Sequence, residues 1–279
     1  MIFVRTALGR GAAQLAAAGI EDARREARML LHHALGLPAR TLLPSDAAID
    51  PENFEALLAR RAAREPMAFI LGRQGFWTLD LEVTPATLIP RADSETLIHA
   101  ALAAFPARDV VAILDLGTGT GALLLAALVE FPDAWGLGID LAPQAAALAA
   151  RNARGNGLSQ RAAFLCGSWA AAISEKFDLI LANPPYISSA EISSLMPEVA
   201  RHEPRSALDG GADGLDAYRS IIGDLGRLLV PGGAAILELG QGQAEAVAAI
   251  GASAGLEIAA LHKDLGGITR TLTLRSSAP

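Results

Sequence analysis

The stretch Val110-Val111-Ala112-Ile113-Leu114-Asp115-Leu116-Gly117-Thr118-Gly119-Thr120-Gly121 joins an apolar run to a glycine-rich loop. The apolar run predicts a buried parallel strand, and the residues from Ala122 to Glu130 predict an apolar helix directly after the loop. Glycines allow a tight turn and a close approach of the backbone to a ligand, while the start of the helix supplies free N–H groups. The segment therefore predicts the strand, ligand-binding loop and helix of an α/β fold.

A carboxylate that follows this unit indicates the kind of ligand. Asp140 ends a second predicted strand, from Ala134 to Ile139, and lies nineteen residues after Gly121. A carboxylate in that position can accept hydrogen bonds from both ribose hydroxyls. The loop differs from the dinucleotide fingerprint, because its third glycine comes one residue early. The combination predicts a nucleoside-type cofactor.

The segment Asn183-Pro184-Pro185-Tyr186 follows a strand-like run from Phe177 to Ala182 and so is expected at the carboxyl edge of the sheet. Two prolines remove two N–H donors and push Asn183 out of the helical region, which leaves a rigid set of hydrogen-bond acceptors. Such acceptors can hold a planar NH2 group in line with an electrophilic methyl group, and Tyr186 is expected to wall the pocket. A turn that simply ends a buried strand is the alternative.

These motifs together resemble those of the class I S-adenosylmethionine-dependent methyltransferases. More narrowly, the chain resembles the HemK/PrmC family, which methylates a glutamine side-chain amide nitrogen in peptide chain release factors. Two further segments carry that resemblance: Leu88-Ile89-Pro90-Arg91-Ala92-Asp93-Ser94-Glu95, and the loop from Glu203 to Arg219. The resemblance implies a seven-stranded Rossmann-like methyltransferase sheet with one antiparallel strand. It also implies S-adenosylmethionine as cofactor and a release factor as protein substrate.

The resemblance assigns roles to the motif residues. The acceptor amide is expected to meet Asn183, Pro184, Pro185 and Tyr186. The cofactor is expected to meet Asp115, Gly117, Thr118, Gly119, Thr120, Gly121, Asp140, Trp169 and Asn183. Trp169 would cover the adenine face, although a core aromatic residue is the alternative. Ser168 stands where the family usually has Asp, so the usual carboxylate contact to adenine is missing, and Ser168 is not assigned to the site. Asp115 would meet the charged amino group of the cofactor or cap the glycine loop. A salt bridge between loops explains Arg91 and Glu203 almost as well as a role in the site, so neither is predicted to be catalytic.

The sequence predicts three segments. Residues 1–72 read as an all-helical bundle for substrate recognition, residues 73–88 as a β-hairpin connector, and residues 89–279 as the cofactor-binding catalytic domain. The helical prediction rests on an apolar stripe from Ile20 to Leu35 and on Asp50-Pro51, which starts another helix. A last strand from Thr269 to Leu274 is predicted at an edge of the sheet.

Composition limits the function. A net charge of −7 argues against duplex binding, and the basic cluster Arg60-Arg61-Ala62-Ala63-Arg64 reads as a solvated helix face. The single cysteine, Cys166, is expected to be a buried strand residue. The histidines lack the spacing of metal ligands, and one cysteine cannot form a multi-cysteine zinc site, so no metal is predicted. No apolar run is long enough to cross a membrane, and the expected location is cytoplasmic.

Three alternatives to the release-factor prediction remain open. An adenine-N6 methyltransferase of DNA or RNA shares the Asn-Pro-Pro-Tyr motif but usually needs a basic recognition surface. A glutamine methyltransferase of a ribosomal protein is closer, yet Asp93-Ser94-Glu95 and the loop from Asp213 to Arg219 favour the release-factor branch. A non-enzymatic module that keeps the cofactor as a structural ligand is disfavoured by the intact Asn183.

Overall fold

The computed structural model describes residues 1–38, 40–107 and 109–276. Contacts divide the chain into two units. Unit 1 comprises Met1–Gly72 together with a later segment, Met196–His202, and unit 2 begins at Arg73 and contains the remaining residues. Within the described ranges, no helix is both long and apolar enough to span a bilayer.

Unit 1 is built from short helices around one apolar core. Its elements are β1 (Ile2–Phe3), α1 (Val4–Ala17), α2 (Ala23–Ala34), β2 (Ala48–Ile49), α3 (Glu52–Ala62), α4 (Met67–Leu71) and, from the later segment, α8 (Pro197–His202). Asp50 caps α3 as expected, since its Oδ1 accepts the Glu52 N–H at 3.1 Å. The all-helical prediction for this region is wrong in one respect: β1 pairs antiparallel with β2. Two residues in each strand are too few to give an alternating pattern in the sequence.

The prediction of a solvated basic face on α3 is wrong for one of its arginines. Arg61 is only 6% exposed and donates to Glu26 at 2.6 Å and to Glu198 of α8 at 3.0 Å. Arg64 also contacts Glu198, at 2.8 Å. Both acids are distant in sequence, so the burial of Arg61 could not be predicted from α3 itself.

Unit 2 contains a hairpin, a seven-stranded sheet and flanking helices. The hairpin strands are β3 (Arg73–Phe76) and β4 (Leu79–Glu82). The sheet strands are β5 (Ala112–Leu116), β6 (Trp135–Asp140), β7 (Ala162–Cys166), β8 (Phe177–Ala182), β9 (Leu229–Glu238), β10 (Leu256–Lys263) and β11 (Thr269–Ser276). The helices are α5 (Glu95–Ala104), α6 (Ala122–Glu130), α7 (Pro143–Gly155), α9 (Asp216–Leu228) and α10 (Ala244–Ser253).

The strand order is β10-β11-β9-β8-β5-β6-β7, and β11 runs opposite to the other six strands of this sheet. This confirms the predicted seven-stranded sheet with one antiparallel strand. The predicted position of the last strand is wrong, because β11 lies between β10 and β9 and β10 forms the edge. Burial is consistent with this order, since Leu272 and Leu274 of β11 are fully buried whereas Ile258 and Leu261 of β10 are 38% and 50% exposed.

The prediction that Cys166 is buried is also wrong. Cys166 is exposed at the end of β7, and Leu165 beside it is 48% exposed. β7 is the other edge strand of the sheet. An edge strand has one neighbour instead of two, so an apolar sequence there does not guarantee burial.

Register places four chemically important residues in one row. Ile139, Leu116, Ala182 and Leu237 pair side by side across β6, β5, β8 and β9. The next residues along these four parallel strands are Asp140, Gly117, Asn183 and Glu238. They therefore meet at the carboxyl edge of the sheet, where α/β folds bind ligands.

Candidate functional site

A pocket in unit 2 opens at this edge of the sheet. It brings together eight of the residues that the sequence assigns to the site, namely Gly117, Thr118, Gly119, Thr120, Asp140, Trp169, Asn183 and Pro185. Four other predicted residues, Asp115, Gly121, Pro184 and Tyr186, are absent from its lining in the described part of the chain. The pocket therefore joins the glycine loop to the Asn-Pro-Pro-Tyr segment.

The glycine loop has the conformation that its sequence predicts. Gly117, Gly119 and Gly121 all have positive φ, at 76°, 53° and 82°. A side chain is strained in that region, so glycine is required for the turn. At Gly121 an added Cβ would also lie 3.1 Å from the Cβ of Ala149 in α7. Gly121 therefore serves helix packing, whereas Gly117 and Gly119 face the pocket.

Asp140 joins the second strand to the loop. Its Oδ2 accepts the Gly119 N–H and its Oδ1 accepts the Ala142 N–H, both at 2.9 Å. Each carboxylate oxygen has a second lone pair, so both can still accept a hydroxyl of a ligand. Asp140 thus holds the loop in shape and also presents a charged acceptor to the pocket.

Asp115 lies beneath the loop and is 1% exposed. Its Oδ2 accepts the Thr118 hydroxyl at 2.6 Å, whereas its Oδ1 has no hydrogen-bond partner among the described residues. Burial raises the pKa of Asp115 to about 7, with the charge of Asp140 acting in the same direction. A buried carboxylate with a free oxygen is suited to a cationic ligand group, because an approaching positive charge would stabilise its ionised form.

Thr87 is a pocket residue that sequence reasoning missed. It is 2% exposed and lines the pocket, and its Oγ1 has no hydrogen-bond partner within the described ranges. Buried hydroxyls are nearly always hydrogen-bonded, so this one is suited to a polar ligand atom. Thr87 and Asp115 together show that the residues present fit a ligand carrying both hydrogen-bonding and positively charged groups. The position of Thr87 in the loop after the hairpin gave no sequence signal.

Trp169 lines the pocket and also contacts the core, so both of its predicted roles have a structural basis. An added Cβ on Gly117 would lie 3.4 Å from the Trp169 ring, and the indole packs against the apolar cluster beneath the sheet. Ser168, which stands where the HemK/PrmC pattern has Asp, also lines the pocket and is exposed. The neighbourhood thus offers a ring face and a neutral hydroxyl.

Asn183 is half-buried at the pocket wall, and its Nδ2 donates to the Ser94 hydroxyl at 3.1 Å. Tyr186 differs from expectation, because its hydroxyl lies 3.4 Å from Glu238 Oε1 instead of at the pocket. Its backbone carbonyl accepts from Gln243 Nε2 at 2.9 Å. The Tyr186 side chain packs against the buried cluster that contains Tyr218 and Leu237. Burial raises the pKa of the Tyr186 hydroxyl to about 12.

Glu238 is the second residue that sequence reasoning missed. It is 2% exposed at the end of β9, and its Oε1 accepts the Tyr186 hydroxyl at 3.4 Å. Burial raises the pKa of Glu238 to about 7. One signal was present in the sequence: a single acid interrupts the otherwise apolar run from Ala234 to Leu239.

The two flanking segments fix the surroundings of the motif. Arg91, which lines the pocket, forms an ion pair with Glu203, whose side chain is 1% exposed. The salt-bridge interpretation therefore has direct structural support. In the loop after the motif, an added Cβ on Gly214 would lie 2.4 Å from the Tyr186 carbonyl oxygen. Glycine is required there so that the loop can lie against the backbone of the motif.

Metal-ligating side chains do not gather at this pocket. In the part of the chain that the structure describes, no group of three or more His, Cys, Asp or Glu side chains could hold a metal ion. The buried His32 bonds the backbone oxygens of Arg28 and Thr41, each at 2.8 Å. Both of its ring nitrogens therefore have structural partners.

Comparison with known proteins assigns the chain to a family. A family profile described as the PrmC N-terminal domain matches residues 6–72, and one described as the methyltransferase small domain matches residues 94–211. A release factor glutamine methyltransferase of Rhodospirillum rubrum is 51% identical over 97% of this chain and 84% of its own length. One from Cereibacter sphaeroides is 45% identical over 95% of each chain. The chain belongs to the release factor glutamine methyltransferase family.

Solved structures of more distant proteins share the fold of the family. A methyltransferase from Pyrococcus furiosus covers 80% of this chain and 98% of its own, with a TM-score of 0.53 at 19% identity. A 16S rRNA N2 G1207 methyltransferase of T. thermophilus, in complex with AdoMet and guanosine, has a TM-score of 0.53 at 16% identity. It covers 74% of this chain and 50% of its own. At these identities the likeness establishes the methyltransferase fold.

Proposed function

We propose that this chain transfers the methyl group of S-adenosylmethionine to the side-chain amide nitrogen of a glutamine in a peptide chain release factor. The observation that carries the proposal is the position of Asn183. Its side chain lines the same pocket as Asp140 and the glycine loop, and its Nδ2 is engaged by Ser94. The carbonyl oxygen of its amide remains to accept hydrogen from a substrate NH2 group. Family membership supports the same reaction and the same class of substrate.

Different residues of the pocket are proposed to contact different parts of the cofactor. Asp140 is proposed to accept hydrogen bonds from the ribose hydroxyls, and Asp115 to meet the charged amino group. Gly117, Thr118, Gly119 and Thr120 would form the wall against the methionine part, with Gly121 holding the loop on α7. Trp169 would cover the adenine face. Thr87 adds a free hydroxyl that is suited to a polar atom of the same ligand.

The reaction requires the protein mainly to position the glutamine amide nitrogen. When bound, the cofactor supplies a methyl group that is already activated. The amide nitrogen of glutamine is a poor nucleophile, so the pocket must hold it in line with the methyl group. We propose that Asn183 Oδ1 and the Pro184 carbonyl accept its two hydrogens. Pro185 and Tyr186 keep these acceptors rigid. The nitrogen loses one proton as the new bond forms, and we expect solvent to take it, because Asn183 is a neutral acceptor.

We further propose that residues 1–72 recognise the protein substrate. Every residue that lines the pocket lies in unit 2, so unit 1 supplies none of the cofactor contacts described above. A single glutamine side chain offers too little surface to distinguish one protein from another. A second contact outside the pocket is therefore needed for specificity.

The test is methyl transfer from labelled S-adenosylmethionine to separate protein and nucleic-acid substrates. Intact release factor, the same factor with its acceptor Gln replaced by Ala, purified ribosomal proteins, duplex DNA and RNA would be assayed side by side. We expect label only on the intact factor, and mass spectrometry should place it on one glutamine. Label on ribosomal protein or nucleic acid, with none on the release factor, would overturn the proposal.

A further inference from the structure

Arg91 supplies the positive charge of the pocket. Of the residues that line the pocket in the described part of the chain, Arg91 alone is basic and Asp140 alone is acidic. Asp140 ends β6 and binds the glycine loop, whereas Arg91 lies in the segment between the hairpin and α5. The role proposed for Asp140 therefore leaves the charge of Arg91 without a ligand.

A buried carboxylate holds Arg91 in place. The Glu203 side chain is 1% exposed, and its Oε1 accepts from Arg91 Nη2. Its Oε2 accepts the Ile89 N–H at 3.3 Å. Both carboxylate oxygens thus bind the segment that carries Arg91, one through the main chain and one through the guanidinium. The Arg91 side chain is 41% exposed, so its charged group is anchored on one side and accessible at the rim of the pocket.

The ion pair uses only part of the guanidinium. Arginine has five N–H donors and no acceptor. Within the described ranges, the hydrogen-bond partner of the Arg91 side chain is Glu203, which engages Nη2. The hydrogens on Nε and Nη1 remain for a ligand that enters the pocket. They can bind only an acceptor, such as a carbonyl oxygen.

The position of Arg91 favours the substrate as the source of that acceptor. Burial raises the pKa of the Tyr186 hydroxyl and the charge of Arg91 acts against this rise, so Arg91 acts on the Asn-Pro-Pro-Tyr end of the pocket. Ser94, three residues after Arg91, accepts from Asn183 Nδ2. When a glutamine side chain reaches Asn183, its methylene groups leave the main chain of the substrate at the rim.

We propose that Arg91 donates a hydrogen bond to a main-chain carbonyl oxygen beside the acceptor glutamine. The inference rests on the proposed function, because it assigns a second contact to the same substrate. Every polypeptide presents such a carbonyl, so the contact fixes how the substrate chain lies across the pocket without depending on neighbouring side chains. With Asn183 holding the amide group and Arg91 the main chain, the amide nitrogen keeps fewer orientations. Glu203 is a positioning residue for Arg91.

The first test uses Arg91→Met and Arg91→Lys in the full chain. Arg91→Met removes the donors, and we expect kcat/KM on the intact release factor to fall about 10-fold or more while the dissociation constant for S-adenosylmethionine changes less than about twofold. Arg91→Lys keeps the charge without the planar fork and should lie between. Arg151→Met is the matched control, because Arg151 forms a similarly exposed pair with Glu82 in which its side chain is 43% exposed. An unchanged kcat/KM for Arg91→Met would overturn the proposal.

A second variant separates the substrate contact from support of the fold. Arg91→Met leaves the buried Glu203 carboxylate without its charged partner, and that costs stability by itself. Glu203→Gln added to Arg91→Met removes the unpaired charge and keeps an acceptor for the Ile89 N–H. The double variant should regain stability in denaturant unfolding without regaining kcat/KM. Recovery of kcat/KM together with stability would overturn the proposal, because the loss would then be structural.

A change in the substrate tests the hydrogen bond itself. Release-factor peptides that carry the acceptor glutamine can be made with a thioamide in place of one neighbouring peptide group, since sulfur is a weaker acceptor than oxygen. At one position we expect the thioamide to lower kcat/KM for the wild type and to cost nothing further in Arg91→Met. Losses that multiply at every position would contradict the contact.

Two further outcomes are distinguishable. Weaker binding of S-adenosylmethionine in Arg91→Met, with the thioamide effect unchanged, would place Arg91 at the cofactor carboxylate and overturn the inference alone. A wild-type protein that methylates no release factor would overturn the proposed function and this inference with it.

Discussion

The side-chain nitrogen of Asn183 donates a hydrogen bond to the hydroxyl of Ser94, 3.1 Å away, across 89 residues of sequence. The Asn-Pro-Pro-Tyr motif and the Pro-Arg-Ala-Asp-Ser-Glu segment are therefore parts of one site. The side chain of Asn183 thus has a hydrogen-bond partner outside its own motif.

Replacing Asn183 with Ala should separate turnover from cofactor binding. We expect kcat to fall by ~100-fold or more, as for other residues whose hydrogen bonds act in the transition state. The dissociation constant for S-adenosylmethionine, measured by calorimetry, should change little because Asn183 is assigned mainly to the acceptor amide. Asn53→Ala, at an exposed position of α3, is the control. A variant that kept most of its activity would refute the role given to Asn183.

Replacing Asp140 with Ala should have the opposite effect. We expect cofactor binding to weaken by ~1.5–3 kcal/mol, because charge-assisted hydrogen bonds are lost and the Gly119 and Ala142 N–H groups lose their acceptor. Turnover should recover partly at saturating cofactor. Asp140→Asn keeps one acceptor oxygen and should show a smaller loss. Unchanged affinity in the Ala variant would exclude the ribose assignment.

The Asp115 carboxyl should make stability fall as the pH rises. Its folded-state pKa is about 7, whereas an unfolded Asp titrates near ~3.9, so the folded protein holds the extra proton between these values. Asp115→Asn removes this contribution. In thermal melts without cofactor, the difference between pH 5 and pH 8 should be smaller in the variant than in the wild type. A variant with the same pH dependence would show that Asp115 does not titrate in this window.

The same carboxyl should make cofactor affinity rise with pH. The ionised form attracts a positively charged amino group, and the protonated form does not. Wild-type affinity for S-adenosylmethionine should therefore weaken as pH falls below about 7. Asp115→Asn should bind more weakly at pH 8 and show a flatter profile. Calorimetry at pH 6, 7 and 8 would measure both, and a wild-type profile without slope would contradict the assignment.

Two neighbouring arginines of α3 should differ in their effect on the stability of unit 1. Arg61→Ala leaves Glu26 and Glu198 without their buried partner, and we expect a loss of ~2–4 kcal/mol in the free energy of unfolding. Arg60→Ala breaks a more exposed pair with Glu65 and should cost less than ~1 kcal/mol. Denaturant unfolding would compare the two. Equal losses would show that burial of the Arg61 pair is not decisive.

A chain that begins at Arg73 should keep cofactor binding and lose recognition of the intact release factor. The pocket residues all lie in unit 2, so calorimetry with S-adenosylmethionine should give an affinity close to that of the full chain. Methylation of the intact factor should be lost or strongly reduced. Methylation of a short peptide carrying the glutamine should be weak for both proteins.

Segment Met196–His202 provides the control for this truncation. Without residues 1–72 it loses Arg61 and Arg64, the partners of Glu198. Glu198→Ala in the full chain reproduces that loss while keeping unit 1. If this variant lost recognition of the intact factor as completely as the truncation does, the segment itself would account for the effect. Full activity of the truncated chain on the intact factor would contradict the proposal that residues 1–72 recognise the substrate.

The sequence alone determined the elements that depend on local pattern. The helix from Ala122 to Glu130 and the strand from Phe177 to Ala182 have the bounds that periodicity predicts. Positive φ at the glycines of the loop follows from their lack of a side chain. The strands of α/β folds run parallel, and their carboxyl ends meet at one edge of the sheet. The meeting of Asp140 and Asn183 at that edge could therefore also be predicted.

Only the tertiary structure decided which groups are paired and which are buried. Arg61 finds Glu198 far along the chain, β11 enters the sheet between β9 and β10, and Cys166 is exposed because β7 has no second neighbour. The contact between Ser94 and Asn183 and the burial of Thr87 and Glu238 also depend on the tertiary structure. Local pattern reports the conformational preference of a segment, whereas burial and hydrogen bonding depend on what the rest of the chain brings beside it.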